Sequence, residues 1–250
     1  MKELIHRAAR DMVSSKNIVA LTGAGISVES GIPPFRGKGG LWEKFDPMEY
    51  AHIDAFMKNP AKVWDVLIKE MKVIIDNARP NTAHKGLAKL EKLGLLKTII
   101  TQNVDGLHQM AGNTDVVEFH GNFAWQRCME CNNKCETIKI DIGQIPPRCE
   151  CGGIYKPECI FFGEMIPQQY LRRSEMAAST CDIMLVIGTS ANVQPAASIP
   201  LIAKQARAKV IEINLERTPL SKEISDYIIM GKAGEVLTTL INEIEHLLNL

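Results

Sequence analysis

The stretch Asn17-Ile-Val-Ala-Leu-Thr-Gly-Ala-Gly-Ile-Ser-Val-Glu-Ser-Gly-Ile-Pro-Pro-Phe-Arg-Gly37 opens as an apolar run and passes at once into closely spaced glycines. A short apolar run bounded by turn residues reads as a buried strand. Glycines at 23 and 25 then let the backbone approach a pyrophosphate, with the amides of a helix N-terminus supplying the positive end of a dipole. The ordinary fingerprint G-x-G-x-x-G fails, because its third glycine position is Val28. The next segment is not a long helix: Gly31, Pro33, Pro34, Phe35, Arg36 and Gly37 read as a loop. An arginine beside an aromatic on a Gly-flanked loop can close over a phosphate or ribose; the plainer alternative is a surface turn with a solvated arginine.

Outward from this stretch, the chain of 250 residues with 46% apolar residues suffices for one large globular domain or two small ones. No run approaches the ~18 apolar residues that span a bilayer, and charges recur every few residues from Met1 to Ser14, where a signal peptide is apolar. A cytoplasmic protein with no membrane association is expected. Lysine plus arginine equal aspartate plus glutamate at 29 each, so no summed field favours nucleic acid, and no intrinsic nucleic-acid binding is expected.

Further short apolar runs at Thr98–Thr101, Ile183–Ile187, Val210–Ile213 and Tyr227–Ile229 read as buried parallel strands. Helical patterns at Thr82–Leu93, Gln168–Ala178 and Glu235–Leu248 alternate with them. In the last, Val236, Leu237, Leu240, Ile241, Ile244, Leu247 and Leu248 share one face. The alternation predicts an α/β fold with a doubly wound parallel sheet. Two segments break the rhythm: Leu41 to Arg79, helical and carrying Trp42, Phe45, Tyr50, Phe56 and Trp64, and Phe123 to Glu158, rich in Cys, Gly and Pro. Together they are expected to form a smaller inserted domain.

Seven cysteines, an odd count without an export signal, argue for metal binding or free thiols over a disulfide framework. Cys128-Met-Glu-Cys131 and Cys149-Glu-Cys151 lie in a segment with few apolar residues. Four thiolates at about 2.3 Å would close a tetrahedral zinc and fold a ribbon too small for a core of its own. The second pair is one residue short of C-x-x-C, so Cys135 stands as a competing ligand. Four sulfurs leave no open position, and this metal is expected to be structural, one ion per chain. Cys159 and Cys181 are expected to be buried, inert thiols.

After Thr101 comes Gln102-Asn-Val-Asp-Gly-Leu-His108, denser in amide, carboxylate and imidazole than a connecting loop needs. Ligands bind at the carboxyl ends of such strands. The run Val116–Phe119 delivers His120-Gly121, and His120 is the expected general base: it follows an apolar run, and imidazole titrates near pH ~6.5. The competing reading is a core histidine with both nitrogens satisfied. His6, His52 and His246 read as solvated helix residues, His84 as a helix-surface or interface residue, and His108 as a structural hydrogen-bonder. Gly188-Thr-Ser-Ala-Asn-Val-Gln-Pro195 leaves a strand with small hydroxyl residues suited to phosphate or ribose, and Asn214 ends the next strand where a ribose partner often stands.

Gly23-Ala-Gly-Ile-Ser27, Gly31-Ile-Pro-Pro-Phe-Arg-Gly37, Thr101-Gln-Asn-Val-Asp-Gly-Leu-His108, Phe119-His-Gly121, the cysteine pairs, Phe162-Gly-Glu164 and Gly188-Thr-Ser190 together resemble the sirtuin family of NAD-dependent protein deacylases, in order and spacing over nearly the whole chain. The resemblance implies a Rossmann-like part at residues 1–36, 80–122 and 163–250. It also implies a small part made of a helical module at 37–79 and a zinc-binding module at 123–162. NAD and acyl-lysine would share the cleft between them. Gly23, Ala24, Gly25, Phe35 and Arg36 then fall to the cofactor turn and loop, and Gln102, Asn103 and Asp105, supported by Ser27, to the nicotinamide and ribose pocket. Gly188, Thr189, Ser190, Asn214 and Ala233 would line the adenosine side. Ile160, Phe162, Gly163, Glu164 and Val193 would hold the substrate peptide as an added strand.

By the same resemblance, the catalytic residues are His120, Asn103 and Asp105, and the metal ligands Cys128, Cys131, Cys149 and Cys151. NAD would be consumed as co-substrate, yielding nicotinamide, O-acyl-ADP-ribose and free lysine, with acylated-lysine segments of other proteins as partners and the chain a monomer. Family members that prefer succinyl or malonyl lysine carry a tyrosine and an arginine where this chain, after Pro60-Ala-Lys-Val-Trp64, has Leu67 and Glu70. Neutral acyl groups are therefore expected. Competing readings are ADP-ribosyl transfer or NAD hydrolysis, a binding module without chemistry, and a nicotinamide dehydrogenase, the last weakened by Val28.

Overall fold

Ile18–Thr22 (β1) is buried along its whole length, as a strand covered by helices on both faces must be. Successive side chains leave a strand on opposite sides. Ile18 and Ala20 share a core with Leu185 and Ile211, beneath helices Lys2–Val13, Thr82–Lys92 and Ala233–Leu247. Val19 and Leu21 pack with Ile100, Val117 and Val186 beneath helices Gln168–Thr180 and Ile199–Gln205. The computed structural model describes residues 1–37 and 39–250; Lys38, within the expected helical module, lies outside the described residues.

The other strands are β2 (Leu96–Thr101), β3 (Val116–Glu118), β4 (Gly121–Cys128), β5 (Lys134–Glu136), β6 (Tyr155–Cys159), β7 (Ile183–Ile187), β8 (Lys209–Asn214) and β9 (Tyr227–Met230). Six form one parallel sheet in the order β3-β2-β1-β7-β8-β9. The chain builds outward from β1 to β3, then returns at β7 on the other side of β1. The order thus reverses beside β1, and the crevice at such a reversal is where ligands bind in doubly wound sheets. Register keeps the strand ends level: Thr22 lies opposite both Thr101 and Ile187, Thr101 opposite Glu118, and Ile187 opposite Ile213.

The expected helix Thr82–Leu93 spans Thr82–Lys92, and its start is set by Asn81, whose Oδ1 accepts from the Ala83 and His84 amides while His84 Nδ1 accepts from the Asn81 amide. The C-terminal helix begins at Ala233, two residues before the expected start. The expected helical stretch from Leu41 to Arg79 is helical only to Asn77, in three short pieces up to Lys58 and then in one run, residues 60–77, that passes through a π-helical turn at Trp64–Ile68. Asp46 and Asn59 each cap a new helix whose first residue is proline, Pro47 and Pro60, so the chain restarts at each pair instead of continuing.

A second sheet, antiparallel in the order β5-β4-β6, is inserted between β3 and β7. Its residues Phe123 and Tyr155 share a core with Leu41, Phe56, Trp64, Leu67 and Ile68 of the helices at 41–77. Trp64 Nε1 donates to the Tyr155 carbonyl at 2.8 Å across this junction. No helix among the described residues is long and apolar enough to cross a membrane.

Candidate active site and metal centre

The level strand ends bring the loops after β1, β2, β3, β7 and β8 to one edge of the sheet, where a cleft of about 1230 Å³ opens. Gly23, Ala24, Gly25, Phe35, Arg36, Gln102, Asn103, Gly188, Thr189, Ser190, Asn214 and Ala233 all line it, together with His120 and with Ile160, Phe162, Gly163, Glu164 and Val193. Its volume exceeds the ~300–1,000 Å³ of ordinary small-molecule sites, which leaves room for two substrates at once. Ser27 and Asp105 are not in the wall; they stand behind it, joined by a 2.7 Å hydrogen bond from the Ser27 hydroxyl to Asp105 Oδ2.

The glycines of the first loop are required for reasons of packing between loops. A Cβ on Gly25 would sit 2.7 Å from the Gly188 Cα, and one on Gly188, whose φ is +61°, would sit 2.5 Å from the Ile26 nitrogen. The Gly25 amide donates to the Gly188 carbonyl at 2.8 Å. Ala24–Ser30 then winds as a 3-10 helix that ends at Gly31 in the left-handed region. Beyond it Phe35 stacks on Trp42, ring centres 5.3 Å apart, while Arg36 is exposed.

Asn103 is 5% exposed. Its Nδ2 donates to the Gly23 carbonyl at 3.2 Å and to Ser27 Oγ at 3.1 Å, but its buried Oδ1 has no protein partner. An unpaired buried acceptor costs about 1–3 kcal/mol. A ligand with hydroxyls and a carboxamide, as a nicotinamide dinucleotide has, can supply the missing donor. Burial pushes the Asp105 carboxyl up, against the opposing pull of the Leu107 amide and the Ser27 hydroxyl.

His120 Nδ1 lies 3.2 Å from the Gln102 carbonyl. A carbonyl only accepts, so Nδ1 carries the proton and Nε2 keeps the lone pair. Burial holds its pKa below the usual imidazole value, with the Gln102 carbonyl pulling the other way. The imidazole is therefore a neutral base at neutral pH, in the wall of the cleft.

Two histidines depart from their expected places. His84 is fully buried, not on a helix surface; its ring meets His108 edge-on at 5.0 Å, and burial lowers it to about 4. His52 is no solvated helix residue either: it caps helix Ile53–Lys58, its Nδ1 accepting from the Asp54 amide at 3.2 Å, and its ring packs where a Cβ on Gly163 would be. His108 is the hydrogen-bonder expected, 2.9 Å from the Thr22 hydroxyl, which in turn donates to Thr101 Oγ1 at 2.9 Å. Burial lowers it to about 3.

Cys128, Cys131, Cys149 and Cys151 bring their four sulfurs within 4.8 Å of one another. Cys128 and Cys151 are 3.5 Å apart, and Cys131 and Cys149 3.7 Å, close to the ~3.8 Å that Zn–S bonds of about 2.3 Å require on tetrahedral edges. The thiols share protons through these contacts, Cys149 being pulled down, led by the Cys151 amide, while, against the pull of the Asn133 amide, the neighbouring thiols push Cys131 up, so that only a cation could hold all four as the thiolates a metal needs. The set fits one structural zinc with no open position. Cys135 stands outside it, its thiol directed to the Glu136 carbonyl at 3.5 Å. Cys181 is buried and Cys159 partly so, and burial pushes both thiols up to about 12.

One arm of the cleft is apolar, lined by Leu41, Trp42, Leu67, Ile68, Met71 and Phe123. Glu70 is not in this wall; its carboxylate lies 3.7 Å from Lys44 Nζ. Sequence reasoning missed Met71, Val104, Leu215 and Lys232 as lining residues, and Asn81, whose Nδ2 holds the Ile26 carbonyl and Ser30 hydroxyl behind the first loop. The Asn81-x-x-His84 spacing is a capping box with an unusual third member and was legible. The others carry no signal, because lining a cleft depends on segments far apart in sequence.

The profile of the Sir2 family matches residues 23–195. The chain is 47% identical to "NAD-dependent protein deacylase 1" of Archaeoglobus fulgidus, over 96% of this chain and 98% of that one. It is 47% identical to "NAD-dependent protein deacylase 2" of Pyrobaculum aerophilum, over 94% and 93%. Among solved structures, a Sir2 homologue in complex with NAD superimposes with a TM-score of 0.89 at 46% identity, over 97% and 94% of the two chains. A Sir2 protein bound to a myristoylated histone peptide superimposes with a TM-score of 0.84 at 38% identity, over 100% and 99%.

Proposed function

The chain belongs to the Sir2 family, and from that membership and the cleft it carries we propose that it is an NAD-dependent protein deacylase. It takes the acyl group from a lysine of another protein and gives nicotinamide, O-acyl-ADP-ribose and free lysine. The observation that carries this reading is the meeting, in the wall of one cleft, of a neutral imidazole whose Nε2 is free of its own loop and of Asn103, whose buried amide oxygen no protein group satisfies.

NAD supplies a scissile glycosidic bond and a ribose to receive the acyl group. His120 Nε2 takes the proton of a ribose hydroxyl, and the Gln102 carbonyl holds the ring in the tautomer that allows it. Asn103 Oδ1 accepts from the ligand, while Ser27 fixes the amide from behind and holds Asp105 beside it. Gly23, Ala24 and Gly25 bring bare backbone to the pyrophosphate, and Thr189, Ser190, Asn214 and Ala233 face the adenosine. Phe35, stacked on Trp42, screens the reacting carbon from water. The substrate peptide adds as a strand between Ile160–Glu164 and Val193.

The apolar arm formed by Leu67, Ile68 and Met71 suits a neutral acyl chain, and among the described residues that line this arm none carries a cation for a terminal carboxylate. Acetyl, myristoyl and succinyl peptides incubated with NAD and analysed by mass spectrometry test the whole reading. Free lysine peptide and O-acyl-ADP-ribose are expected from the neutral acyl groups. ADP-ribosylated protein, or ADP-ribose without deacylation, would replace the proposal with transfer or hydrolysis, and a succinyl preference would overturn its acyl part.

A further inference from the structure

Lys156, which no motif of the sequence singles out, is 7% exposed as the second residue of β6. Its ammonium donates to the Pro157 carbonyl at 3.0 Å and the Cys159 carbonyl at 2.8 Å, and pairs with Glu164 Oε2 at 3.0 Å. Two of its three N–H groups are thus committed to backbone carbonyls, and its charge is paired with the Glu164 carboxylate. It also lies 4.4 Å from the centre of the Phe161 ring. Glu164 Oε2 accepts from the Phe161 amide as well, at 2.7 Å, so the Glu164 carboxylate folds inward and knots the loop 159–164 around one charge.

The rest of this loop is tied at both ends. The Ile160 amide donates to the His120 carbonyl at 2.8 Å, and Phe162 exchanges backbone bonds with Ala51 and Ile53, both at 2.9 Å. Gly163, at φ +84°, rests on the His52 ring. Among the described residues its amide and carbonyl have no internal partner, so they are left to an incoming strand. Burying an ammonium is costly unless it is paired and hydrogen-bonded, and a similar apolar side chain is often equally stable.

We propose that Lys156, through Glu164, is a positioning residue for the substrate peptide: it holds the loop 159–164 in the shape that presents Gly163 to the acyl-lysine strand and anchors the same loop to the backbone of His120. The inference rests on the deacylase reading. Removing the charge loosens the peptide edge while leaving the NAD side, built from the loops after β1, β7 and β8, in place.

Steady-state kinetics with an acetyl-lysine peptide, varying peptide and NAD separately, test this on wild type, Lys156→Met, Lys156→Arg and Glu164→Gln, with thermal unfolding of each. Lys156→Met is expected to raise the peptide KM about tenfold or more while the KM for NAD stays within about twofold. Lys156→Arg, which keeps the charge and donors, recovers most of the loss. Glu164→Gln, which keeps an acceptor for the Phe161 amide but no anion for the lysine, raises the peptide KM in the same direction and carries the test if Lys156→Met does not fold. An unchanged peptide KM in the variants overturns the inference, as does a parallel loss for both substrates that Lys156→Arg fails to rescue. Absence of deacylated product from the wild type overturns the functional reading itself, and the inference with it.

Discussion

His120 owes its character to one carbonyl and to its burial, and both have measurable consequences. Its pKa is held below the ordinary imidazole value, and only the neutral ring can accept a proton. The acidic limb of kcat/KM against pH is therefore expected below pH ~6.5. Activity is lost as pH falls through that limb; a limb above pH ~6.5 would contradict the assignment. His120→Ala is expected to lower turnover by about 10²–10⁴ while NAD affinity, measured calorimetrically, changes little. His84 and His108 bear on stability instead, since burial holds them neutral, at about 4 and about 3. In the unfolded chain both protonate near pH ~6.5. Their contribution is complete above that pH and declines as pH falls towards 4 and 3, by up to about 1.4 kcal/mol per pH unit for each histidine. Denaturant midpoints from pH 7 to 4.5 measure it, and His108→Asn should flatten the slope. At this scale the sequence set His120 at the strand end where the cleft lies, but read His84 as a helix-surface or interface residue, whereas it is buried in the core. Nothing local distinguishes a helical histidine that faces solvent from one that faces another histidine across the core.

The loops at the carboxyl ends of β1 and β7 work as a pair. The glycines at 23 and 25 read as room for a pyrophosphate, but the nearest obstacles to a Cβ there are Gly188 and Thr189. Gly25→Ala is therefore expected to destabilise the fold by about 1–3 kcal/mol and weaken NAD binding together. A stable variant with lost affinity would instead place the clash with the ligand alone; chemical denaturation and calorimetry separate the two. The strands were legible because each is a short apolar run with turn residues at its ends, and β7 matches its expected bounds, Ile183–Ile187. The stretch between Leu41 and Arg79 was less so. Its aromatics marked a buried segment, but the Asp46-Pro47 and Asn59-Pro60 restarts divide it into helices, short ones before Asn59 and a longer run from Pro60 to Asn77, that share a core with Phe123 and Tyr155.

In the whole molecule, we propose that residues 37–79 and 123–162 act as one unit held by the zinc, set against the larger part at 1–36, 80–122 and 163–250. Metal is expected to sustain the core that the second sheet shares with the helices at 41–77, because that sheet is too small to stand alone. Chelation, or Cys149→Ala, should remove hydrogen-exchange protection from β4, β6 and helix Lys69–Asn77 while β1, β7 and β8 stay protected. Uniform loss across both parts would refute this division. The sequence by itself determined the kinds of chemistry available: a broken dinucleotide turn, two cysteine pairs, a histidine after an apolar run, and strands alternating with helices. These are written in spacing and side-chain type, which act over a few residues. Only the tertiary structure decided that Thr22, Thr101 and Ile187 end level, that Asn103 of the cleft wall keeps a buried, unpaired oxygen, and that Lys156 and Glu164 knot the loop 159–164. Those depend on which distant segments pack together, and burial then sets which polar groups must find a partner within the protein and which are left for a ligand.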